Sequence, residues 1–181
     1  MKNKISTKDL VVTALLIAIG IIIPTCFGFL RVILPPAFTA SIMAHVPIFI
    51  AMFISPLSAL LTAIGTTIGF LVSGVDIVVT ARAGSHIVFA LIGAYLIKKK
   101  YSLVVVGIVT AILHALFEAL TVYIFLACGI TNANGASFVT VAFYTTGIGT
   151  LIHSVIDYIL ACIIGFALSK ARAIPSLPKV F

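Results

Sequence analysis

Residues 10–29 read LVVTALLIAIGIIIPTCFGF, a run of 20 residues without a charged side chain. A helix that crosses the hydrocarbon core of a bilayer needs about 20 predominantly apolar residues. Further apolar runs follow at residues 39–54, 57–72, 77–97, 102–128 and 138–169. The sequence therefore predicts an all-α membrane protein with six transmembrane helices, in which residues 1–181 form a single integral membrane domain.

The composition supports this fold class and argues against several others. Of the 181 residues, 62% are hydrophobic and 8% are charged, and the mean hydropathy is +1.35. A soluble domain is typically about 45–50% apolar and roughly 25% charged. A soluble enzyme, a nucleic-acid-binding domain and a disordered chain are therefore disfavoured, and no nucleic acid is expected as a partner. No catalytic motif, nucleotide-binding loop or Cys/His ligand spacing is present, so the sequence indicates neither an enzyme, nor a cofactor, nor a metal site.

The cations predict how the helices are oriented in the membrane. They form three clusters, before the first run, between the fourth and fifth, and after the sixth: Lys2, Lys4 and Lys8; Lys98, Lys99 and Lys100; Lys170, Arg172 and Lys179. With six spans all three clusters lie on one face, and the loops of the other face carry only Arg31. The positive-inside rule makes the basic face cytoplasmic. The sequence thus predicts a multi-pass protein of the plasma membrane with cytoplasmic N and C termini.

Polar residues within the spans are candidate functional residues. A charge at the bilayer centre costs about 2.5–3.5 kcal/mol on insertion scales, so each one needs a reason. Arg82 and His86 lie four residues apart on one face of the fourth span, and His45 lies at a similar depth in the second. Because arginine offers a planar bidentate fork, this cluster predicts a pocket for a ligand with a carboxylate. Alternatively, Arg82 snorkels outward or pairs with Asp76, and the histidines are satisfied core residues.

Two His/acid pairs share the same helical spacing. His114 and Glu118 lie on one face of the fifth span, and His153 and Asp157 on one face of the sixth. The pairs fit a proton relay, a substrate contact or an interhelical hydrogen-bond network, and the network is favoured. Glu118 is expected nearer the outside, where it is the better ligand candidate, and Asp157 nearer the cytoplasm, in a structural role.

Three further residues near the predicted outer surface complete the candidate substrate site. Asn132 and Asn134 lie in the loop between the fifth and sixth spans, where they fit either a polar lid over a ligand or simple turn chemistry. Tyr144 lies near the outer end of the sixth span. It is a candidate pocket-wall residue, although tyrosine is also common at bilayer interfaces for its own sake.

Small residues at helical spacing predict close helix contacts. Ala14 and Ala18 form such a pair in the first span, and Gly65 and Gly69 form another in the third. In lipid these pairs let a neighbouring helix approach closely, either within the bundle or on a partner protein.

Taken together, the length, the six spans, the Ala14/Ala18 pair, the segment AHVPIFIAMFISP at 44–56 and RAGSH at 82–86 resemble one family. The chain is similar to the substrate-binding S component of an energy-coupling factor vitamin transporter. The resemblance implies a subunit that binds one vitamin or precursor on its outer side. It also implies partnership with a transmembrane coupling protein and two cytoplasmic ATPases, with Ala14 and Ala18 docking the coupling protein. The family pocket, built from spans four to six and external loops, favours Arg82, His86, Glu118, Asn132 and Asn134 as site residues.

The substrate and the mode of transport remain open between alternatives. Arg82 favours an anionic vitamin, with pantothenate slightly ahead of niacin. The His and Asn side chains suit a neutral ring such as pyridoxine or hydroxymethylpyrimidine. The main rival function is a stand-alone ion-coupled transporter of small solutes, and the two His/acid pairs are the evidence for it.

Overall fold

The computed structural model describes residues 6–34 and 38–181, which are predominantly helical. The described residues form six α-helices: α1 (Thr7–Cys26), α2 (Val46–Ile54), α3 (Pro56–Val72), α4 (Ile77–Lys98), α5 (Leu103–Ala127) and α6 (Ile148–Lys170). A π-helical stretch, Thr140–Gly147, leads directly into α6. Four helical segments are long and apolar enough to cross a bilayer, namely α1, α4, α5 and the continuous segment Thr140–Lys170. The protein is thus a helical membrane protein, as the composition predicts.

Side-chain caps explain where several helices begin. Ser6, Ser55 and Ser102 accept a hydrogen bond from the backbone N–H three residues further on, at the starts of α1, α3 and α5. Asp76 accepts from the backbone N–H of Val78 at the start of α4. These bonds satisfy N–H groups that have no partner within the helix, a requirement that is strict where water is scarce.

The segment predicted as the second span is not one helix. Residues 38–41 form strand β2 (Phe38–Ser41), which pairs antiparallel with β1 (Arg31–Leu34), and a turn then leads into α2. The nine residues of α2 rise about 14 Å at 1.5 Å per residue, less than half of the hydrocarbon thickness of about 30 Å. The prediction of a single helix over 39–54 is therefore wrong. The backbone of Phe38–Ser41 makes its hydrogen bonds by pairing with β1 instead.

The apolar core lies around α2, whose residues Val46–Phe53 are all buried. This short helix packs against α1, α3, α4 and α6. Gly65 and Gly69 let α3 approach α1 closely: an added Cβ would lie 2.5 Å from Ile17 Cγ2 and 2.6 Å from Ile21 Cα, respectively. The glycine pair of α3 therefore serves packing against α1 within the chain.

The start of α1 and the C-terminal segment lie at the same end of the bundle. Lys8 Nζ donates to the backbone carbonyl of Arg172 at 3.0 Å. In addition, Leu103 N at the start of α5 donates to the carbonyl of Lys179 at 2.9 Å. The basic segments are thus neighbours, as an even number of crossings requires. Which side of the membrane they face stays a prediction.

Candidate functional site

The candidate site is a buried polar cluster where β2 and α2 meet α4, α5 and α6. It is formed by four histidines, two acids and one arginine, which we call the polar cluster: His45, Arg82, His86, His114, Glu118, His153 and Asp157. All except His153 are buried, with at most 5% of their surface exposed. Ionisable groups enclosed in a membrane bundle mark a functional site by default, because their burial is costly.

Arg82 is paired with Glu118 and does not snorkel. Its Nε and Nη2 donate to Glu118 Oε2 at 3.1 and 2.6 Å. Its remaining bonds go to β2, from Nη2 to the Thr39 carbonyl at 3.1 Å and from Nη1 to Thr39 Oγ1 at 3.3 Å. Asp76, the alternative partner, caps α4 instead. The arginine therefore joins α4, α5 and the hairpin.

Glu118 is the point at which three helices meet. Its Oε2 also accepts from the hydroxyl of Thr150 on α6. Its Oε1 lies 3.0 Å from Nε2 of His86 and 3.4 Å from Nε2 of His114. A buried carboxylate needs such partners to offset its lost hydration. The interhelical network that the sequence favours is thus present around Glu118.

Asp157 holds the turn that precedes α2. Its Oδ1 accepts from the backbone N–H of Met43 at 3.1 Å, and its Oδ2 accepts from the backbone N–H of His45, also at 3.1 Å. Nδ1 of His45 lies 3.0 Å from the same oxygen. Met43 has a positive φ of 68°, so this turn is conformationally demanding for a residue with a side chain. The contacts give Asp157 a structural role.

His45 links the two His/acid pairs into one network. Its ring centroid lies 4.4 Å from that of His114, 4.6 Å from that of His86 and 4.8 Å from that of His153. The sequence treats the pairs as separate and places their acids at different depths, whereas both acids contact this one group of imidazoles. Within the described residues, His86 Nδ1, His114 Nε2 and His153 Nε2 are buried without a hydrogen-bond partner.

A small cavity adjoins the polar cluster. Its volume is about 20 Å³, which is room for about one water molecule. The hairpin forms one wall through Arg31, Thr39 and Ser41, and Arg82, His86 and Glu118 form another. Cations, imidazoles and a carboxylate therefore converge on a small space that the hairpin borders.

One known protein is similar over nearly the whole chain. The niacin transporter NiaX of Lactococcus lactis subsp. cremoris (strain MG1363) is 35% identical over 184 aligned positions, which cover 98% of this chain and 82% of that protein. This chain belongs to the S-component family of vitamin transporters. The resemblance seen in the sequence is thereby confirmed at the level of the family. No family model and no solved structure matches the chain.

In this S component, three predicted site residues lie away from the polar cluster. Asn132 and Asn134 are exposed, and Asn132 Oδ1 accepts from Asn134 N at 3.1 Å, so both serve the turn. Asn134 also has a positive φ of 49°, which asparagine tolerates well. Tyr144 is 65% exposed on the π-helical stretch. None of the three lines the cavity.

The structure adds a residue to the S-component site that sequence reasoning missed. Arg31 lies on β1, lines the cavity, and has a buried Nε without a hydrogen-bond partner in the described part of the chain. The sequence offered one signal, since Arg31 is the single cation of the predicted outer loops. From the sequence alone that cation indicates only the orientation of the helices, because no pattern predicts the hairpin that places Arg31 at the cavity.

The predicted docking residues lie on the surface of the S component. Ala14 and Ala18 are both exposed on α1. The buried face of that helix is a different one, formed by Thr13, Leu16 and Gly20. The alanine face is therefore not used for packing within the bundle.

Proposed function

We propose that this S component is the niacin-binding subunit of an energy-coupling factor importer in the plasma membrane, with its termini in the cytoplasm. The observation that carries the proposal is a buried arginine at a small cavity in a chain 35% identical to a niacin transporter. Niacin is a pyridine carboxylate, and its anionic group would bind Arg31, which has no acidic partner among the described residues, together with Arg82. The relative's substrate moves niacin ahead of pantothenate.

The charges around the cavity favour an anionic ligand. Arg82 is balanced by Glu118, whereas Arg31 forms no ion pair with any acid of the described chain. A nicotinate carboxylate placed between Arg31 and Arg82 would give the first a counter-ion and share the second with Glu118. Charge-assisted hydrogen bonds of this kind are roughly twice as strong as neutral ones.

The hairpin has to yield before a vitamin can bind. A cavity of about 20 Å³ is far too small for a pyridine ring with a carboxylate. The hairpin reaches Arg82 through two hydrogen bonds to Thr39, which a ligand carboxylate can replace. We therefore expect the ligand to enter between β2 and α4, with Arg82 exchanging Thr39 for the ligand.

Partner subunits are part of the proposal because the chain has no nucleotide-binding loop. A transmembrane coupling protein and two cytoplasmic ATPases would supply the energy. Ala14 and Ala18 would form the docking face, since they are exposed, small and four residues apart. Small residues let a partner helix approach closely in lipid.

Calorimetric titration of the purified protein in detergent tests the substrate. The panel is nicotinate, nicotinamide, pantothenate, pyridoxine and hydroxymethylpyrimidine. Nicotinate should bind tightly without ATP or partners, and nicotinamide should bind at least about tenfold more weakly because it lacks the carboxylate. Equal affinity for both would refute recognition by Arg31 and Arg82. Tight binding of another compound in the panel would identify that compound, and not niacin, as the substrate.

The network of four histidines and two acids favours one rival, a stand-alone ion-coupled transporter. Reconstitution of the protein alone in vesicles separates the two functions. A binding subunit should show nicotinate binding without uptake, even when a pH gradient is imposed. Uptake that follows the gradient would establish the rival and end the proposal of an ATP-driven importer.

A further inference from the structure

We propose that His45, His86, His114 and Glu118 form a binding site for one divalent transition-metal ion at the floor of the cavity. These residues come from the N-terminal end of α2, from α4 and from α5, so no ligand spacing in the sequence reveals the set. One ligand atom from each residue lies within 4.8 Å of the ligand atoms of the other three. All four residues are buried. The site goes beyond vitamin binding and does not depend on which vitamin is bound.

Two distances between ligand atoms of the site are already close to the spacing that a metal requires. Ligand atoms bound tetrahedrally at about 2.0–2.1 Å lie about 3.3–3.4 Å apart. Glu118 Oε1 is 3.0 Å from His86 Nε2 and 3.4 Å from His114 Nε2. The ion would take the place of the proton between His86 and Glu118. The longer distances, at most 4.8 Å, shorten with side-chain shifts of about 1 Å.

Second partners fix two of the three imidazoles, as metal-binding histidines usually require, whereas His86 Nδ1 has no partner among the described residues. His45 Nδ1 is bonded to the Asp157 carboxylate at 3.0 Å, which leaves Nε2 as the acceptor nitrogen. His114 Nδ1 is bonded to Ser154 Oγ at 3.1 Å. Metal ligands almost always hold their other nitrogen in this manner, on a carboxylate or another polar group. His114 Nε2, on the Glu118 side of the ring, is one of the buried nitrogens without a partner among the described residues.

The space available also favours an ion over part of an organic ligand. Four ligand atoms within 4.8 Å of one another leave no room for a six-membered ring between them. An ion or a water molecule fits. Three imidazoles and one carboxylate suit zinc and its neighbours in the first transition row, whereas calcium and magnesium prefer oxygen ligands.

The charge balance connects the ion to the anion pocket. Glu118 and Asp157 together offset the two positive charges of the ion, and Arg82 and Arg31 then remain as two excess positive charges. A carboxylate bound between the two arginines would neutralise one of these charges. A second convergent set, His45, His153 and Asp157, shares His45 with the first. Since Asp157 already accepts two backbone N–H groups, that set orients His45 rather than forming a second site.

Metal analysis of the purified full-length protein tests the proposal. After EDTA treatment and addition of Zn²⁺, elemental analysis of the desalted protein should find one zinc per chain. Co²⁺ in its place should give the intense visible absorption of a tetrahedral site. A folded wild-type protein that retains no zinc, or binds Co²⁺ only in octahedral form, would overturn the proposal.

Variants separate this site from adventitious binding. Ser154→Ala removes only the partner of His114 and should weaken zinc affinity about 10–100-fold, and His86→Ala should abolish binding. Cys26→Ser combined with Cys128→Ser is the control for thiol binding, because both thiols are exposed and neither belongs to the cluster. Unchanged zinc affinity in Ser154→Ala and His86→Ala, or zinc lost in the cysteine variant, would place the ion elsewhere.

Nicotinate titrations keep the two proposals distinguishable. Zinc bound at the cluster without nicotinate binding would sustain the metal site and refute niacin as the substrate. Nicotinate binding by a protein that takes up no metal would sustain niacin as the substrate and refute the metal site.

Discussion

Replacing Glu118 with glutamine should destabilise the protein by leaving Arg82 as a buried charge without a counter-ion. Both side chains are 5% exposed, and two of the arginine's hydrogen bonds end on one carboxylate oxygen. Removal of one partner from a buried ion pair costs about 3–5 kcal/mol. Glutamine keeps one acceptor oxygen for Arg82, so we expect the lower end, about 3 kcal/mol. For a chain of this length that corresponds to a melting temperature lower by about 6–12 °C.

A second substitution makes this prediction sharp. Adding Arg82→Met to Glu118→Gln removes the orphaned charge, and replacing a whole buried pair with uncharged groups is often nearly neutral. The double variant should therefore be more stable than Glu118→Gln alone, although it has lost more polar contacts. Thermal unfolding in one detergent, followed by circular dichroism, compares four purified proteins: the wild type, the two single variants and the double variant.

Asp157→Asn is the matched control for a buried carboxylate. Its partners are backbone N–H groups and His45, not an arginine, so Arg82→Met should not rescue it. The reasoning fails if the losses in Arg82→Met and Glu118→Gln add to within about 0.5 kcal/mol, because additivity is the behaviour of uncoupled sites.

Three further outcomes follow from other parts of the molecule. Arg31→Ala should weaken nicotinate binding at least about tenfold in titration, since a charged hydrogen bond is worth about 1.5–3 kcal/mol. The melting temperature should stay nearly unchanged, because Arg31 has no ion-pair partner that the substitution would leave unpaired. Unchanged affinity would remove Arg31 from the site. Ala14→Trp with Ala18→Trp should abolish copurification with the coupling protein yet preserve nicotinate affinity, and persistent copurification would place the docking face elsewhere. Gly69→Ala should lower the free energy of unfolding by about 1–3 kcal/mol, because the added Cβ would lie 2.6 Å from Ile21 Cα. A melting temperature equal to that of the wild-type protein would contradict the close packing of α1 on α3.

Hydropathy predicted the long helices well because lipid imposes a minimum length on any apolar crossing. The same criterion failed at residues 39–54. That run is as apolar as a helix, yet buried non-helical backbone has the same composition when protein encloses it. The nearby Pro35 and Pro36 were the available sign of a break. They lie outside the described residues, and they were interpreted only as the end of the first span.

The site was predicted in its parts but not in its assembly. Helical spacing correctly placed His114 with Glu118 and His153 with Asp157 on common faces. Spacing within a helix cannot show that Arg82 meets Glu118, which is 36 residues away, or that His45 joins both pairs. Those contacts depend on the hairpin and on helix packing. Asn132 and Asn134 were chosen for their polarity in an external loop, whereas the actual cavity lies beneath the hairpin.

The shortness of α2 has a consequence for how the protein is made. A nine-residue helix joined to α3 through Ser55 alone is too short for the translocon to release into lipid as an independent segment. The hairpin before it is equally unsuited to contact with lipid, since its outer edges carry unpaired peptide groups. We therefore expect the long helices to be inserted first, and α2 with its hairpin to pack between them afterwards. On this reasoning the candidate pocket is the last part of the nascent protein to mature, and a chain arrested before that step would be integrated in the membrane without a formed pocket.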